Sequence, residues 1–276
     1  MESRTFFVES GDRIRLSVTE YGGSDGVPVV LMHGLCQSSL CWERQIQSRL
    51  TEKYRIITFD LRGHGMSDKP LEREYYTQSS RWAEDLNAVI QHLGLVEPVI
   101  VAWSYSGYVL CDFIEKYGDS NIKGINFVAA TVKLTQRFEM LGPGLLRNYT
   151  GMVADDLRTC IDSTRDFVSA LFFNTPEQGF LLSALCSGMM VPLSVRAALT
   201  QRELDFTGVL RGIQVPVLLS YGLKDRVVRP SMSRFTAAEV SGCTESEYRE
   251  TGHALFYERS ERFNTELVRF IDGLEA

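Results

Sequence analysis

Residues 98–118 read PVIVAWSYSGYVLCDFIEKYG, and this stretch decides the fold of the 276-residue chain. Pro98–Ala102 is a continuous apolar run of the kind that is buried on both faces in a parallel sheet, and Tyr108–Tyr117 has the periodicity of a helix. Ser104 lies between them, with an alanine two positions before it and a serine two positions after it. Small residues at these positions let the backbone turn sharply from strand to helix and present the hydroxyl, so Ser104 is the candidate nucleophile.

The rest of the chain alternates segments typical of strands with segments typical of helices. Apolar runs and alternating patterns predict strands at Thr5–Glu9, Arg13–Thr19, Val27–Met32, Arg55–Phe59, Ile122–Ala129, Val215–Ser220 and Glu247–Glu250. Helical periodicity is found at Ser38–Tyr54, at Arg81–Leu93, after Pro230 and at Ser260–Leu274. This order predicts an α/β protein with a mostly parallel, doubly wound sheet, whose first two strands form a hairpin.

One segment interrupts this alternation after the sixth predicted strand. No strand-type run is found between Thr131 and about Thr207, while apolar and aromatic residues recur there at loosely helical spacing. Examples are Met140, Leu145, Met152, Phe167, Phe172, Phe173, Phe180, Met189 and Met190. We therefore expect residues 131–206 to form a helical cap over the carboxyl edge of the sheet, and residues 1–130 and 207–276 to form the core. A minority of the apolar side chains facing the cleft would make its pocket apolar.

Composition and charge exclude several classes of protein. The 29 Lys and Arg residues against 35 Asp and Glu residues give a net charge of −6, so neither nucleic acid nor an anionic membrane is an expected partner. No apolar run approaches the ~20 residues that span a bilayer, and residues 1–15 lack a signal-type apolar stretch, which makes the cytoplasm the expected compartment. The six cysteines lack the spacing of a zinc site, so we expect free thiols, no metal and no cofactor.

One of the four histidines, His253, is placed to act as a base. It follows the last predicted strand and precedes the last helix, so it lies on a loop at the same sheet edge as Ser104. Asp225 leaves the preceding strand at that edge and is the candidate acid that orients the imidazole. The other three are not placed to act as a base. His33 precedes Gly34 after a strand, where it would hold a loop by hydrogen bonds, His64 lies in the turn Gly63-His64-Gly65, and His92 lies in a helix.

With Ser104, Asp225 and His253 in that chain order, the sequence resembles the α/β-hydrolase superfamily. It is most similar to the small capped members, which include bacterial esterases and cofactor-free haloperoxidases. The similarity covers nearly the whole chain outside residues 131–206. It is carried by His33-Gly34, the stretch Asp60–Ser67 (DLRGHGMS), the turn at Ser104, Asp225, and Gly252-His253 with Phe263-Asn264. The family string G-x-S-x-G is altered here, since Ala102 and Ser106 replace the two glycines.

The resemblance implies an α/β-hydrolase fold, a catalytic triad and an oxyanion hole formed by the backbone N–H groups of Leu35 and Tyr105. It also implies acyl transfer in two steps, in which His253 takes the proton of Ser104, the serine attacks a carbonyl, and water later hydrolyses the acyl-enzyme. The expected substrate is a carboxylic ester, a thioester or a lactone of a small hydrophobic or aromatic group, because the segment 131–206 is rich in Met and Phe.

Other functions fit parts of the pattern. Cofactor-free haloperoxidases share the triad, although many carry proline where this chain has Cys36. Cofactor-free dioxygenases that cleave hydroxyquinolones use the His–Asp pair and also carry a cysteine at that position. Hydrolase-fold receptors retain a triad while they bind and signal, and turnover of an activated ester separates them from enzymes. Dehalogenases and epoxide hydrolases use an aspartate at the turn, so Ser104 argues against both.

Overall fold

The computed structural model describes residues 3–23, 25–134 and 139–274, and a large sheet forms its centre. Ten strands occur in these residues: β1 Ser3–Glu9, β2 Arg15–Tyr21, β3 Pro28–Met32, β4 Arg55–Phe59, β5 Val99–Trp103, β6 Gly124–Val128, β7 Lys133–Leu134, β8 Leu204–Asp205, β9 Val217–Gly222 and β10 Thr244–Tyr248. Eight of them form one sheet in the order β1-β2-β4-β3-β5-β6-β9-β10.

The pairing within this sheet agrees with the sequence prediction. β1 pairs with β2, and β2 with β4, in antiparallel register, while every other neighbouring pair is parallel. The central strands β5 and β6 are buried over their whole length, as expected for strands covered by helices on both faces. The carboxyl ends of β5 and β9 therefore meet at one edge, which is where ligand sites of such sheets are found.

Helices alternate with the strands along the chain. They are α1 Glu43–Ile46, α2 Leu50–Lys53, α3 Glu74–Thr77, α4 Ser79–His92, α5 Ser106–Tyr117, α6 Pro143–Leu146, α7 Tyr149–Met152, α8 Leu157–Ala170, α9 Gln178–Met189, α10 Leu193–Leu199, α11 Thr207–Gly212, α12 Pro230–Glu239, α13 Leu255–Glu258 and α14 Ser260–Gly273. Within the described residues no single helix is long and apolar enough to cross a membrane; α9 and α10 pass that test only as a pair bent by 89°.

The single helix predicted over Ser38–Tyr54 is wrong. The structure has a 3-10 turn at Ser39–Trp42, then α1 and α2 as separate short helices. Ser48 separates the two, because its hydroxyl donates to the Gln45 carbonyl at 2.7 Å and accepts from the Leu50 N–H at 3.2 Å. Such local side-chain bonds compete with the helical hydrogen bonds of the backbone. The last strand is also shifted, because β10 begins three residues and ends two residues before the predicted strand.

The prediction of no strand between Thr131 and Thr207 is wrong as well. β7 and β8 pair in antiparallel register at the base of the segment, and the helices α6 to α10 lie between them. An ion pair of 2.6 Å between Lys133 and Asp205 joins the same two strands. Strands of two residues are too short to show a period of two in the sequence, which is why the apolar pattern did not predict them.

A buried arginine connects the antiparallel hairpin to the parallel part of the molecule. The Arg62 side chain has no exposure to solvent, and its Nε and Nη2 donate to the two Asp85 oxygens, both at 2.7 Å. Its Nη1 donates to Asp12 in the β1–β2 turn at 2.8 Å and to the Tyr75 carbonyl at 3.0 Å. The guanidinium thus joins the hairpin, α4 and the loop after β4.

Candidate active site

Ser104 follows β5 directly and has a left-handed backbone, with φ of +57°. This conformation costs free energy for a residue with a Cβ atom and needs support from its surroundings. The backbone supplies it: the Ser104 N–H donates to the Val128 carbonyl at 3.0 Å, and the Ser104 carbonyl accepts from the Thr131 N–H at 2.9 Å. The turn from β5 to α5 is therefore fixed by the last residue of β6 and by the chain that follows it.

Small residues allow this turn to pack closely. A Cβ atom at Gly107 would lie 2.5 Å from the Thr131 carbonyl oxygen, and one at Gly34 would lie 2.9 Å from the Ser104 Cβ. At Ser106 the hydroxyl lies 2.9 Å from the Trp103 carbonyl oxygen and 3.1 Å from that of Met32. A serine is accommodated in place of the usual glycine because its hydroxyl is satisfied inside the turn.

Asp225 and His253 are brought together as predicted. The Asp225 Oδ2 lies 2.6 Å from the His253 Nδ1, and both side chains are 1% exposed. The other carboxylate oxygen, Oδ1, accepts the backbone N–H groups of Val227 at 2.7 Å and Val228 at 2.9 Å. These bonds fix the orientation of the carboxylate, so His253 carries its proton on Nδ1 and leaves Nε2 as the basic nitrogen.

The Nε2 atom of His253 is buried and has no hydrogen-bond partner among the described residues. The hydroxyl of Ser104 makes no hydrogen bond to it in this structure, although the Trp103 ring, next in sequence to Ser104, lies 5.4 Å from the imidazole. Trp103 also donates its indole N–H to the His253 carbonyl at 3.1 Å. While the bond to Asp225 holds the imidazole ring in this orientation, Nε2 is available to accept a hydrogen bond.

The two predicted oxyanion donors lie beside Ser104. Leu35 and Tyr105 line one cavity with Ser104, and in the described part of the chain neither of their backbone N–H groups donates a hydrogen bond. The N–H of the next residue, Cys36, is in contrast taken up by the Nε2 of His64 at 3.2 Å. Two unused backbone donors in the same cavity as the Ser104 hydroxyl are suited to form an oxyanion hole.

The loop that carries Leu35 is held by neutral histidines. His33 donates from Nδ1 to the Gly34 carbonyl at 2.8 Å and accepts the Leu61 N–H at Nε2, at 3.0 Å. His64 donates from Nδ1 to the Arg62 carbonyl at 2.9 Å. Burial lowers the pKa of His33 and lowers the pKa of His64 to about 3. The loop-holding role expected for His33 is thus observed, and His64 has the same role.

The cysteines near this loop are not activated as nucleophiles. Cys36 and Cys41 are buried free thiols. Burial raises the pKa of Cys36 to about 11 and raises that of Cys41 well above its usual range. Thiols of such high pKa are protonated at neutral pH and unreactive. Among the described residues no group of three or more His, Cys, Asp or Glu side chains could hold a metal ion.

The cavity above Ser104 is apolar and narrow, with about 40 Å³ of space for the centres of water-sized molecules. The sequence could not assign its walls, because they come from loops and helices far apart in the chain. Besides Ser104, Leu35 and Tyr105 they are Tyr108, Thr131, Leu134, Leu141, Leu145, Phe167, Leu199, Thr200, Val227 and Val228. The polar groups among them are largely bonded elsewhere: Tyr105 donates to the Leu199 carbonyl at 3.1 Å, and Thr131 to that of Ser104 at 3.0 Å.

Comparison with known proteins places this arrangement in a family. A model of the alpha/beta hydrolase fold matches residues 27–260. A non-heme chloroperoxidase from Streptomyces lividans is 27% identical, with 96% of this chain and 98% of the relative covered. A bifunctional esterase/perhydrolase from Acinetobacter calcoaceticus is 26% identical, with 96% and 99% covered. The chain therefore belongs to the α/β-hydrolase fold family.

Solved structures agree with this assignment. A protein from Burkholderia cenocepacia assigned as an aryl esterase has a TM-score of 0.93 and 33% identity, and the match covers 98% of this chain and 99% of that one. The esterase RhEst1 from Rhodococcus sp. ECU1013 has a TM-score of 0.90 and 31% identity, with the same coverage. The predicted fold is confirmed, and relatives of esterase type support a hydrolase.

Proposed function

We propose that the protein is a carboxylic ester hydrolase that works through an acyl-enzyme on Ser104. One observation carries the proposal: a single apolar cavity is lined by Ser104 and by the two residues with unused backbone N–H groups, Leu35 and Tyr105. An ester carbonyl bound there would meet the nucleophile and both oxyanion donors at once. The buried pair of Asp225 and His253 supplies a base at the same sheet edge.

The steps follow from these positions. His253 Nε2 takes the proton of the Ser104 hydroxyl as Oγ attacks the carbonyl carbon, and the oxyanion accepts from Leu35 and Tyr105. Asp225 stabilises the imidazolium that forms. The imidazolium then gives its proton to the leaving alcohol, which leaves the acyl group on Ser104. A water molecule, deprotonated by His253, repeats the attack and releases the acid.

The cavity favours compact apolar substrates. The cavity is narrow, and its walls are mostly Leu, Val and Phe side chains. A hydroxyl or a charge placed there, away from Ser104 and the two unused N–H groups, would lose its hydration without gaining a partner. We propose that the helical segment 131–206 acts as the cap of this pocket, because Leu141, Leu145 and Phe167 in it line the cavity.

Perhydrolysis is the second candidate, and the relatives favour it. One of them is a bifunctional esterase/perhydrolase, and another is a non-heme chloroperoxidase. Hydrogen peroxide in place of water would attack the same acyl-enzyme, transfer the acyl group to its oxygen and release a peracid, while His253 takes up the peroxide proton. Formation of peracid from an ester and hydrogen peroxide, measured beside hydrolysis, tests this reaction.

Replacing the nucleophile tests the proposal. Ser104→Ala removes the hydroxyl oxygen on which the proposed acyl-enzyme forms, so turnover of p-nitrophenyl esters should fall by at least about 10³-fold. Initial rates over a series of acyl chain lengths measure this loss, and the optimum in the wild type should lie at short chains because the cavity is compact.

Ser233→Ala is the matched control, because Ser233 is also 6% exposed but lies in α12 outside the cavity walls. This variant should keep nearly full turnover. Wild-type turnover by Ser104→Ala would contradict the proposal. Release of a single equivalent of nitrophenol by the wild type would instead favour a receptor.

A further inference from the structure

The backbone around His253 is held at three consecutive residues. The Gly252 N–H donates to Glu258 Oε1 at 2.6 Å. The His253 carbonyl accepts from the Trp103 indole at 3.1 Å, and the Ala254 N–H donates to the Leu171 carbonyl at 2.9 Å. Two of these three bonds are made with Glu258 and Leu171, which lie outside β5 and the Ser104 turn. The position of the imidazole therefore depends on groups other than Ser104 and Asp225.

Glu258 joins two parts of the molecule. While its Oε1 binds Gly252, its Oε2 accepts the N–H groups of Phe173 at 3.1 Å and Asn174 at 2.9 Å. These two residues belong to the turn after α8, in the segment inserted between β6 and β9. Three backbone donors therefore converge on one half-buried carboxylate, and only an ionised carboxylate has acceptors for all three and no competing donor.

Close packing brings this turn against the loops of both the acid and the base. A Cβ atom at Gly252 would lie 2.7 Å from the Phe173 nitrogen, so glycine is needed for the approach. Arg226, next to Asp225, donates to the Phe172 carbonyl at 3.0 Å. The turn at residues 171–174 thus contacts the Asp225 loop through Arg226 and the His253 loop through Gly252 and Glu258.

We propose that Glu258 is a positioning residue that sets the His253 loop against the inserted segment and keeps the imidazole in line with Asp225 and Ser104. This inference rests on the proposed function, since it assigns Glu258 to the support of the same base. Glu258 itself does not line the cavity. Its removal should therefore change the rate of the chemical step and leave substrate binding nearly unchanged.

Kinetics of full-length variants test the proposal. In Glu258→Ala the kcat for a p-nitrophenyl ester should fall by about tenfold to a hundredfold, the size expected when a catalytic group is displaced by about 1 Å, while KM stays within about threefold. Glu258→Gln should show a smaller loss of kcat, because its amide keeps one acceptor oxygen and turns an NH₂ group towards a backbone donor. Glu261→Gln is the matched control, since Glu261 is exposed and three residues away, and it should match the wild type.

Proton NMR supplies a readout that does not depend on turnover. The proton in the 2.6 Å hydrogen bond between His253 and Asp225 should give a resonance far downfield in the wild type. This resonance should shift or broaden in both Glu258 variants and stay in place in Glu261→Gln. Asp225→Asn, which removes the proton from Nδ1, assigns the signal.

The outcomes separate the two proposals. If the wild type does not hydrolyse esters, the proposed function fails, and the NMR comparison still decides the role of Glu258. If folded Glu258→Gln and Glu258→Ala keep both the wild-type kcat and the wild-type resonance, the positioning role is overturned. A lower melting temperature with unchanged kcat and resonance also overturns it, because Glu258 would then only stabilise the fold.

Discussion

Asp225 is fixed in one orientation, and its two oxygens have different tasks. Oδ1 accepts two backbone N–H groups, from Val227 and Val228, while Oδ2 faces the His253 Nδ1 at 2.6 Å. The carboxylate cannot rotate without losing both backbone bonds. The tautomer of His253 is thus decided by a short run of backbone that follows β9.

Asp225→Asn should lower kcat by about 10³ to 10⁴-fold with a small change in KM. The amide oxygen will take the place of Oδ1 on the two backbone donors, so the NH₂ group will face Nδ1 and require the imidazole to carry its proton on Nε2. A protonated Nε2 cannot accept the proton of Ser104. Steady-state kinetics on one p-nitrophenyl ester measure the loss.

Asp155→Asn is the control for this substitution, because Asp155 is exposed, and it should leave kcat unchanged. A kcat for Asp225→Asn within a few fold of the wild type would show that the tautomer of His253 does not matter for the reaction.

The sequence predicted the positions of the three candidate catalytic residues better than it predicted their surroundings. Ser104, Asp225 and His253 each follow a strand, so the topology of a parallel sheet brings them to one edge. The cavity walls could not be assigned, because Leu199 and Val227 meet there from separate elements. Glu258 carried no signal in the pattern of a single chain, since a carboxylate at a helix end is usually only solvated.

At the scale of elements, patterns failed where segments were short or interrupted. The helix predicted over Ser38–Tyr54 is broken by the hydrogen bonds of Ser48, and β7 and β8 have two residues each. Long segments were predicted well: α4, α5 and α14 lie within a few residues of their predicted bounds. Their stripes of apolar residues span three turns or more, which local side-chain bonds cannot override.

A buried ion pair ties α5 to the end of the inserted segment. Arg202, three residues after α10, lies with its Nη2 2.5 Å from Asp112 Oδ1 and 2.7 Å from the Ser79 hydroxyl. Burial outweighs the attraction of Arg202 and raises the pKa of Asp112 to about 6. Ionisation of this carboxylate is therefore easier in the unfolded chain than in the folded one.

The difference in the free energy of unfolding between the wild type and Asp112→Asn should fall as the pH rises. Because the folded pKa of about 6 lies above the ordinary 3.8, the contribution of Asp112 is complete below about pH 4 and is lost as the pH rises through 6. We expect a decrease of roughly 1 to 3 kcal/mol between pH 4 and pH 7. Urea titrations of both proteins at several pH values measure it.

The charge of Arg202 is constant over this range, so the unpaired guanidinium in Asp112→Asn adds an offset that does not vary with pH. The slope of the difference therefore belongs to Asp112. Parallel stability curves for the two proteins would show that Asp112 has the same pKa in the folded and unfolded states.

For the molecule as a whole, Arg62 connects regions that the sheet alone joins weakly. The hairpin of β1 and β2 is antiparallel to its neighbour β4 and lies at the edge of the sheet. The guanidinium of Arg62 binds Asp12 in the turn of this hairpin and Asp85 in α4, and so connects the two. The sequence predicted both the hairpin and α4 but gave no sign that one side chain would join them.

Arg62→Met should lower the free energy of unfolding by about 3 to 5 kcal/mol, because Asp85 stays buried without its partner. The double variant Arg62→Met/Asp85→Leu should recover much of this loss, since it removes both charges from the interior. Chemical denaturation monitored by tryptophan fluorescence measures the three proteins. A loss no larger than that of Arg249→Met, a change at an exposed arginine, would contradict the expectation.

The two buried histidines that hold the Leu35 loop, His33 and His64, have a consequence for acid conditions. Each imidazole uses one nitrogen as donor and one as acceptor, so the loop keeps its shape as long as neither ring takes up a second proton, which for His64 means down to a pH of about 3. The unfolded chain takes up that proton near pH 6.5 and gains about 1.4 kcal/mol per pH unit from it below that value. Acidification therefore lowers the free energy of unfolding well before it changes the loop. If these residues cause a loss of activity in acid, the loss should come from cooperative unfolding of the whole molecule and not from gradual titration of the site.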